Sequence, residues 1–375
     1  MKSSMRLLRA GGVSCVLFVF LGALAACAAE NPQKPASVSD VKKYDDVRAK
    51  DMSGVDLSKD AELPATLTFD DNSVWPAAAS MPKGFDPKAL ATAAMNPGLG
   101  LRELHASGVT GKGVNIGVID QPLLDDHPEF AGKIAAYFDA GCEGQATSSH
   151  GPAVASLIVG TNCGAAPEAR IYYAAVPSRL QDAACYAKAL DWIVEQNGSL
   201  PEGQGIQCVC VAAAPSGPAA TTSKNTEAWD EAVKRAEAAR ITVLDCTFSR
   251  RFVAACWREK GDVEDPASYR PGYPGIDLAP SNGYLLIPGA PRTVAEENER
   301  GKAAYAYTGR SPLNWAVPYC AGVLALGWQV NAGLSGDQMR ELLLQSAYRT
   351  KEGYKIINPK EFINAVRART VAKAR

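Results

Sequence analysis

Two polar residues stand where parallel α/β proteins gather their acid–base groups. Asp120 ends the apolar run VNIGVID (114–120), and His150 opens the segment HGPAVASLIVG (150–160), which continues with mostly small or apolar residues. Side chains beyond the carboxyl ends of neighbouring strands meet at one edge of such a sheet. A neutral histidine there can act as a general base, and an aspartate can orient its ring and stabilise the protonated form. The alternative is that Asp120 only accepts hydrogen bonds from amides of the turn that follows it.

A third segment, SPLNWAVPYCAG (311–322), has the pattern of the first turns of a buried helix, with Asn314 at its head. An enzyme of this size can present a nucleophile at such a position, but a carboxamide is a very poor one. Asparagine and serine are about equally good helix caps, so Asn314 can keep the helix start without a hydroxyl group. Pro318 is expected within the first turn or so, where its missing N–H does least harm.

The remaining two histidines are interpreted as structural. His105 lies in a short predicted helix, and His127 precedes Pro128 in a loop, where it shapes a turn. No cysteine or histidine spacing matches a zinc site, and no ligand cluster is specific enough to nominate a calcium site. We therefore predict no metal and no cofactor.

The elements that must position these residues alternate along the chain. Apolar strands are predicted at 169–176, 205–214 and 241–248, amphipathic helices at 182–196 and 225–240, and two later helices at 314–331 and 335–347. Apolar strands linked by helices indicate an α/β fold, with a mostly parallel sheet and helices on both faces. The stretch 250–310 is rich in proline, glycine and charged residues, and we expect it to form long surface loops.

Composition excludes one class of partner. The 375 residues carry a net charge of −1, with lysine and arginine scattered rather than clustered. Nucleic-acid-binding proteins present a basic patch or stripe, and none is evident. We therefore predict no nucleic-acid partner.

The first residues have the pattern of an export signal, with basic residues, then a short apolar run, then small residues. The signal ends in LAAC (24–27), which resembles the lipobox of bacterial lipoproteins, so Cys27 is the predicted lipidation site. The prediction is a signal peptide at 1–27 and an exported cell-envelope protein, attached to the membrane by a lipid anchor. If Cys27 is not lipidated, cleavage after a small residue would leave a secreted protein. Residues 28–63 are polar and are interpreted as a tether, followed by an N-terminal extension at 64–100.

Eight cysteines remain after the leader, an even number that permits disulfides in an exported protein. Two pairs would close short loops: Cys142 with Cys163, and Cys246 with Cys256. Cys208 and Cys210 alternate with valines in a predicted buried strand, and we interpret them as core thiols.

Three segments resemble subtilisin-like serine proteases (subtilases, peptidase S8). GVTGKGVNIGVIDQPLLDDHPEFAGKI (108–134) is similar to the segment around their catalytic aspartate. HGPAVASLIVG is similar to their histidine segment, although the usual HGTHVAG has become HGPAVAS. GAAPEARIYYAAV (164–176) resembles the stretch that follows. The order of aspartate, histidine and late helix is also that of subtilases, and the resemblance covers residues 100 to 347.

The resemblance implies a subtilisin-like three-layer fold for residues 101–375, with Asp120 and His150 as two members of a catalytic triad. NWAVPYCAG aligns with the serine segment through Pro318, which places Asn314 where the nucleophilic serine should stand. The chain is then a peptidase homologue that binds a peptide or protein without efficient cleavage. The alternative is an active serine endopeptidase that uses Asp120 and His150 with another nucleophile, such as Ser311, three residues upstream.

The resemblance also implies a substrate segment and an oxyanion site. VAAAPSGP (211–218) resembles the extended segment that pairs with the substrate backbone, and Ser216 and Gly217 match its end. In place of the usual oxyanion asparagine, the stretch ITVLDCTFSR (241–250) offers Asp245, which would repel an oxyanion, and Thr247, which could donate to one.

Overall fold

The computed structural model describes residues 36–373, apart from 144, 146–148, 219, 248–251, 259, 275–282, 300 and 311–312. Within these ranges the strands are β1 (Ala36–Ser37), β2 (Lys50–Asp51), β3 (Phe69–Asp70), β4 (Asn115–Asp120), β5 (Ile134–Asp139), β6 (Arg170–Ala175), β7 (Ile206–Val211), β8 (Thr242–Leu244), β9 (Val253–Trp257), β10 (Arg270–Pro271), β11 (Leu285–Ala290), β12 (Arg292–Glu299), β13 (Lys302–Thr308), β14 (Tyr348–Arg349) and β15 (Lys355–Ile356). The α-helices are α1 (Leu63–Thr66), α2 (Pro87–Ala93), α3 (Leu101–Ala106), α4 (His150–Val159), α5 (Ala183–Gly198), α6 (Thr226–Ala238), α7 (Leu313–Val330), α8 (Gly336–Gln345) and α9 (Pro359–Lys373).

Five parallel strands in the order β5-β6-β4-β7-β8 form the sheet that carries the candidate site. Successive side chains of a strand point to opposite faces, so each apolar strand serves two cores. In β7, Cys208 and Cys210 face the core that contains α7, whereas Val209 and Val211 face the core that contains α5 and α6. A sheet buried on both faces needs continuous apolar strands, which is the pattern that the sequence shows.

Helices cover both faces of this sheet. α5 and α6 pack on one face, and α4 and α7 pack together on the other. Gly322 in α7 permits a close approach, because a Cβ there would lie 2.7 Å from the Cβ of Ala165. These layers confirm the predicted α/β fold with helices on both faces of a parallel sheet.

Residues 250–310 differ from the expectation of long surface loops. β9 and β11 are buried parallel neighbours in a second sheet, of order β10-β9-β11-β15-β14. β12 and β13 form an antiparallel hairpin that packs on α4. Proline, glycine and charged residues mark the ends of these strands, but the short apolar runs between them form the strands themselves. The composition of the whole stretch concealed these runs.

Residues 36–63 are not a solvated tether. Their apolar side chains form a small core with those of the following segment and with Tyr307 of β13: Val41, Val47, Met52, Val55, Leu57, Leu67, Phe69 and Tyr307. β3 also pairs antiparallel with β13, which adds the N-terminal segment to the hairpin. These apolar residues are spaced irregularly between charged ones, so no helix or strand period revealed them in the sequence.

Among the residues that the structure describes, neither proposed loop disulfide, Cys142 with Cys163 or Cys246 with Cys256, is present. Cys208 and Cys210 are fully buried, which confirms their interpretation as core thiols. Within the described ranges, no helix is both long and apolar enough to cross a lipid bilayer.

Candidate active site

Asp120 and His150 form a direct hydrogen-bonded pair. Nδ1 of His150 donates to Oδ1 of Asp120 across 2.6 Å. Asp120 is the last residue of β4, and His150 is the first of α4, so the carboxyl end of a central strand faces the start of a helix. The backbone N–H of Gln121 also donates to Oδ1 of Asp120 at 2.8 Å. Asp120 therefore orients the imidazole and bonds to the turn as well, which combines the two alternatives from the sequence.

The start of α4 is held against the turn after β4 by a close approach at Gly151. A Cβ at this position would lie 2.6 Å from the hydroxyl oxygen of Tyr173 and would also clash with the carbonyl oxygen of Gln121. The Tyr173 hydroxyl donates to that same carbonyl. Only glycine leaves room for these groups, so Gly151 allows the start of α4 to lie close to the turn that follows Asp120.

The pair favours protonation of the imidazole. Burial of His150 works against the charged form, but the charge of Asp120 and its hydrogen bond outweigh burial and raise the pKa of His150 above its usual value. The His150 side chain is 25% exposed and that of Asp120 only 4%. The imidazole thus reaches the surface of the site while its partner carboxylate lies in the interior.

Asn314 occupies the other side of the imidazole. Its amide nitrogen Nδ2 lies 3.1 Å from Nε2 of His150. In this orientation the amide donates to the unprotonated Nε2, and rotation of the amide by about 180° would present its oxygen to a protonated Nε2. Asn314 can therefore form a hydrogen bond with Nε2 of His150 in either protonation state of the imidazole. The three residues form the line Asp120–His150–Asn314, with a carboxamide at its end.

The helix that carries Asn314 begins one residue earlier than expected. α7 starts at Leu313, so Asn314 is its second residue, and its side chain contacts His150 rather than acting as a cap. Pro318 lies inside α7 and not in its first turn. The N–H that proline lacks is the one that would donate to the carbonyl of Asn314, four residues earlier.

The sequence did not indicate the role of Trp315. Its ring lies 5.2 Å from that of His150 at an interplanar angle of 31°. Trp315 also packs against Ala153 and Leu157 of α4 and against Val294 and Ala306 of the β12–β13 hairpin. Its position directly after Asn314 was visible in the sequence, but the face it covers depends on how α4, α7 and the hairpin pack.

Both hydrogen-bond donors of Thr247 are used locally, in bonds to Asp245. Both its backbone N–H and its hydroxyl donate to the carboxylate of Asp245, at 3.0 and 2.9 Å. The indole Nε1 of Trp229 donates to the same carboxylate at 3.1 Å. Because a hydroxyl has one hydrogen, Thr247 cannot donate to an oxyanion while it bonds to Asp245. This arrangement weighs against the predicted oxyanion role of Thr247.

The predicted substrate segment is also bonded internally. The hydroxyl of Ser216 is buried and donates to Asp230 at 2.8 Å. Gly217 has a φ of +86°, a left-handed conformation that glycine adopts without strain, and Thr247 lies beside it. The carbonyls of Ala213 and Ala214 accept from the backbone N–H groups of residues 246 and 221. Ser216 and Gly217 therefore shape this segment, and the Ser216 hydroxyl is directed toward α6.

Two predicted positions, Ser311 and Cys27, lie outside the described residues. His105 and His127 are structural: each imidazole Nε2 is within 2.9 Å of a backbone carbonyl, that of Ala165 and that of Ala304. Among the residues that the structure describes, no cluster of three or more histidine, cysteine or acidic side chains could hold a metal ion.

Comparison with known proteins connects this geometry to a family. The subtilase family model matches residues 111–270, a range that includes Asp120 and His150 and ends before α7. Serine protease AprX of Bacillus subtilis (strain 168) is 23% identical over 296 residues, which cover 65% of this chain and 63% of that protein. This chain thus spans less than two thirds of the length of that relative.

Solved structures show the same fold at low identity. The structure of the subtilase cytotoxin SubAB assembly has a TM-score of 0.55 at 17% identity, covering 74% of this chain and 98% of that one. A protease of Pseudoalteromonas arctica reaches 0.54 at 16% identity, over 72% and 95% of the two chains. Fervidolysin of Fervidobacterium pennivorans, a keratinolytic enzyme related to subtilisin, reaches 0.52 at 17% identity, over 73% and 45%. Residues 111–270 therefore match the subtilase family (peptidase S8), and the described chain has a subtilisin-like fold.

Proposed function

We propose that this chain is a peptidase homologue that binds a peptide or protein segment in the subtilase cleft without cleaving it efficiently. The observation that carries the proposal is the 3.1 Å contact between Nδ2 of Asn314 and Nε2 of His150. A serine protease needs a hydroxyl at this point, because the histidine must remove its proton as the oxygen attacks the substrate carbonyl.

The chemistry of a carboxamide explains the loss of cleavage. The nitrogen lone pair of Asn314 is delocalised into the adjacent carbonyl, so it is a poor nucleophile, and its N–H is far too weak an acid for an imidazole to deprotonate. Removal of the attacking serine from subtilisin lowers kcat by about 10⁶. An effect of that size leaves Asp120 and His150 with no efficient acyl-transfer reaction to catalyse.

The surroundings of Asp245 support the same conclusion independently. A transition state with a developing oxyanion requires hydrogen-bond donors, and removal of one such donor typically slows acyl transfer by about 10²–10³. The buried carboxylate of Asp245 instead accepts three hydrogen bonds, from Trp229 and Thr247. The departure at Asn314 is therefore accompanied by a second one at the expected position of the oxyanion site.

We also propose that the protein acts at the bacterial cell envelope, with a lipid anchor at Cys27. This proposal depends on the export signal and the LAAC sequence at residues 24–27. A lipid anchor would hold the peptide-binding cleft near the membrane surface. Metabolic labelling with a palmitate analogue, compared between the unmodified chain and Cys27→Ser, would test it directly.

Fluorophosphonate labelling of the mature protein tests the proposed lack of catalysis. We expect no labelling of the unmodified chain or of Asn314→Ala, and clear labelling of Asn314→Ser at residue 314. Labelling of Asn314→Ser should disappear when His150→Ala is added, because the reagent reports an activated hydroxyl. Strong labelling of the unmodified chain at Ser311, dependent on His150, would contradict the proposal and favour the active endopeptidase.

A further inference from the structure

A charged groove opens beside the candidate site, between the N-terminal segment and the β12–β13 hairpin. Its charged lining consists of four carboxylates and two cations: Asp46, Asp70, Glu296, Glu297, Arg48 and Lys50. Ser149 also lines it, and this residue directly precedes His150. The groove therefore lies next to the start of α4, and one of its walls is built by residues that the sequence assigned to a tether.

Arg48 neutralises only part of this acidic lining. Its Nε and Nη2 atoms donate to the carboxylate of Asp46, at distances of 2.7 to 3.2 Å. Its Nη1 donates to Oε2 of Glu296 at 2.9 Å. When every group is ionised, the four carboxylates exceed the two cations by two negative charges.

Two buried carboxylate oxygens in the lining have no hydrogen-bond donor among the described residues. They are Oε1 of Glu296 and Oε2 of Glu297. Glu296 is only 2% exposed, and its other oxygen bonds to Arg48. The other oxygen of Glu297 accepts from the backbone N–H of Gly301. A buried carboxylate oxygen without a donor is unfavourable, so a ligand of the groove that brings hydrogen-bond donors would be stabilised there.

The protonation of Glu296 reflects this shortage of donors. The pKa of Glu296 is raised to about 7, chiefly by burial and also by the charges of Asp70 and Asp46, and Arg48 only partly opposes this shift. Glu297 and Lys50 line the same groove. A cation bound beside Glu296 would favour its ionised form, so binding of a cation and loss of a proton are linked.

We propose that this groove binds the basic side chain, lysine or arginine, of the peptide held in the candidate site, with Glu296 and Glu297 accepting its hydrogen bonds. This inference rests on the proposed peptide-binding function. The excess of carboxylates excludes a phosphorylated or acidic side chain from the same position. Ser149 lines the groove and directly precedes His150, so we take the occupant to be a side chain of the bound peptide rather than a separate small molecule.

Binding of labelled peptide pools to the full mature chain tests the inference. Three pools of random octapeptides would share one fixed position, occupied by lysine, by norleucine or by glutamate. We expect the unmodified chain to retain the lysine pool about tenfold more strongly than the norleucine pool, since a charge-assisted hydrogen bond is lost with the ammonium group. Glu296→Gln and Glu297→Gln should each reduce this preference, and Glu202→Gln, an exposed residue outside the groove lining, should leave it unchanged.

The pH dependence of the preference gives a readout that a general change in structure would not produce. Between about pH 8 and about pH 6, protonation of Glu296 should weaken the preference for lysine in the unmodified chain, and Glu296→Gln should lose that dependence. If peptides bind but show no preference for lysine, or keep it in both glutamine variants, the inference about the groove is wrong and the proposed function stands. If no pool binds above the background of an unrelated protein, both are wrong.

Discussion

The candidate site has two halves that differ in what they preserve. Asp120 and His150 keep the geometry of an acid–base pair, with a 2.6 Å hydrogen bond, a buried carboxylate and a glycine that fixes the approach of α4. In the other half, Asn314 contacts His150, and Asp245 accepts from Trp229 and Thr247. Under the proposed function, these two residues stand in place of a nucleophile and an oxyanion donor. Both halves are built on buried elements of the same core, so the proposed lack of cleavage does not require a loss of packing.

If the proposed function is correct, the fold constrains the positions of the site residues more strongly than their chemistry. α4 and α7 pack on one face of the same sheet, and the side chain of Asn314 fits beside His150 without displacing it. Asp245 accepts hydrogen bonds from Trp229 and Thr247. Asp245 is thus buried and hydrogen-bonded whether or not it takes part in catalysis, because the interior requires polar groups to have partners.

The largest expected effect comes from a substitution of Asp120, which belongs to the preserved half of the site. In the Asn314→Ser background, Asp120→Asn should lower the rate of fluorophosphonate labelling by about 10⁴, since the imidazole loses its orienting carboxylate and its stabilised protonated form. Time courses of labelling at residue 314 measure the rate. The matched variant Asp337→Asn, in the exposed first turn of α8, should label at the rate of the Asn314→Ser parent.

A nuclear magnetic resonance titration of His150 in these variants checks the cause. Asp120→Asn should lower the pKa of His150, because the charge and hydrogen bond that raise it are removed. The raised pKa means that this pair stabilises the fold below the usual histidine pKa and that the contribution disappears as pH rises through the folded-state value. An unchanged pKa would show that Asp120 is not the partner of His150 in solution.

A smaller effect concerns the packing that the preserved half depends on. Gly151→Ala should lower the free energy of unfolding by about 2 kcal/mol or more, because the new methyl group would overlap backbone oxygen atoms and the Tyr173 hydroxyl. Urea denaturation measures the change. Gly198→Ala, at the end of α5, has no atom within 4 Å of the added Cβ and should instead stabilise by up to about 1 kcal/mol. Equal effects of the two changes would remove the packing argument for Gly151.

The smallest expected effect lies in the altered half. In the Asn314→Ser background, Asp245→Asn should change the labelling rate by less than about tenfold, because the oxygens of residue 245 are directed to Trp229 and Thr247. A gain of about 10²-fold or more would mean that the new amide serves as an oxyanion donor. The altered half would then differ from an active site by two side chains and not by its local architecture.

Much of the central fold could be predicted from local patterns of apolar and polar residues in the sequence. The alternation of apolar strands and amphipathic helices between residues 114 and 240 was sufficient for the parallel sheet, because each strand is buried on both faces. The same reasoning failed where apolar residues are few or irregular. β11 lies in a stretch dominated by proline, glycine and charge, and Val47 and Met52 lie among polar residues. In both cases the residues are buried by partners that are distant in the sequence, and a local periodicity does not reveal such partners.

The sequence by itself determined which atoms are available: a carboxylate at 120, an imidazole at 150, and a carboxamide instead of a hydroxyl at 314. Only the tertiary structure decided what those atoms contact. Asn314 and His150 are 164 residues apart, and Arg48 and Glu296 are 248 apart, yet each pair is within hydrogen-bonding distance. Contacts over such separations depend on how helices, hairpin and N-terminal segment pack around the sheet. The groove beside Ser149 therefore emerged only from the fold, because its walls come from two segments that share no pattern in the sequence.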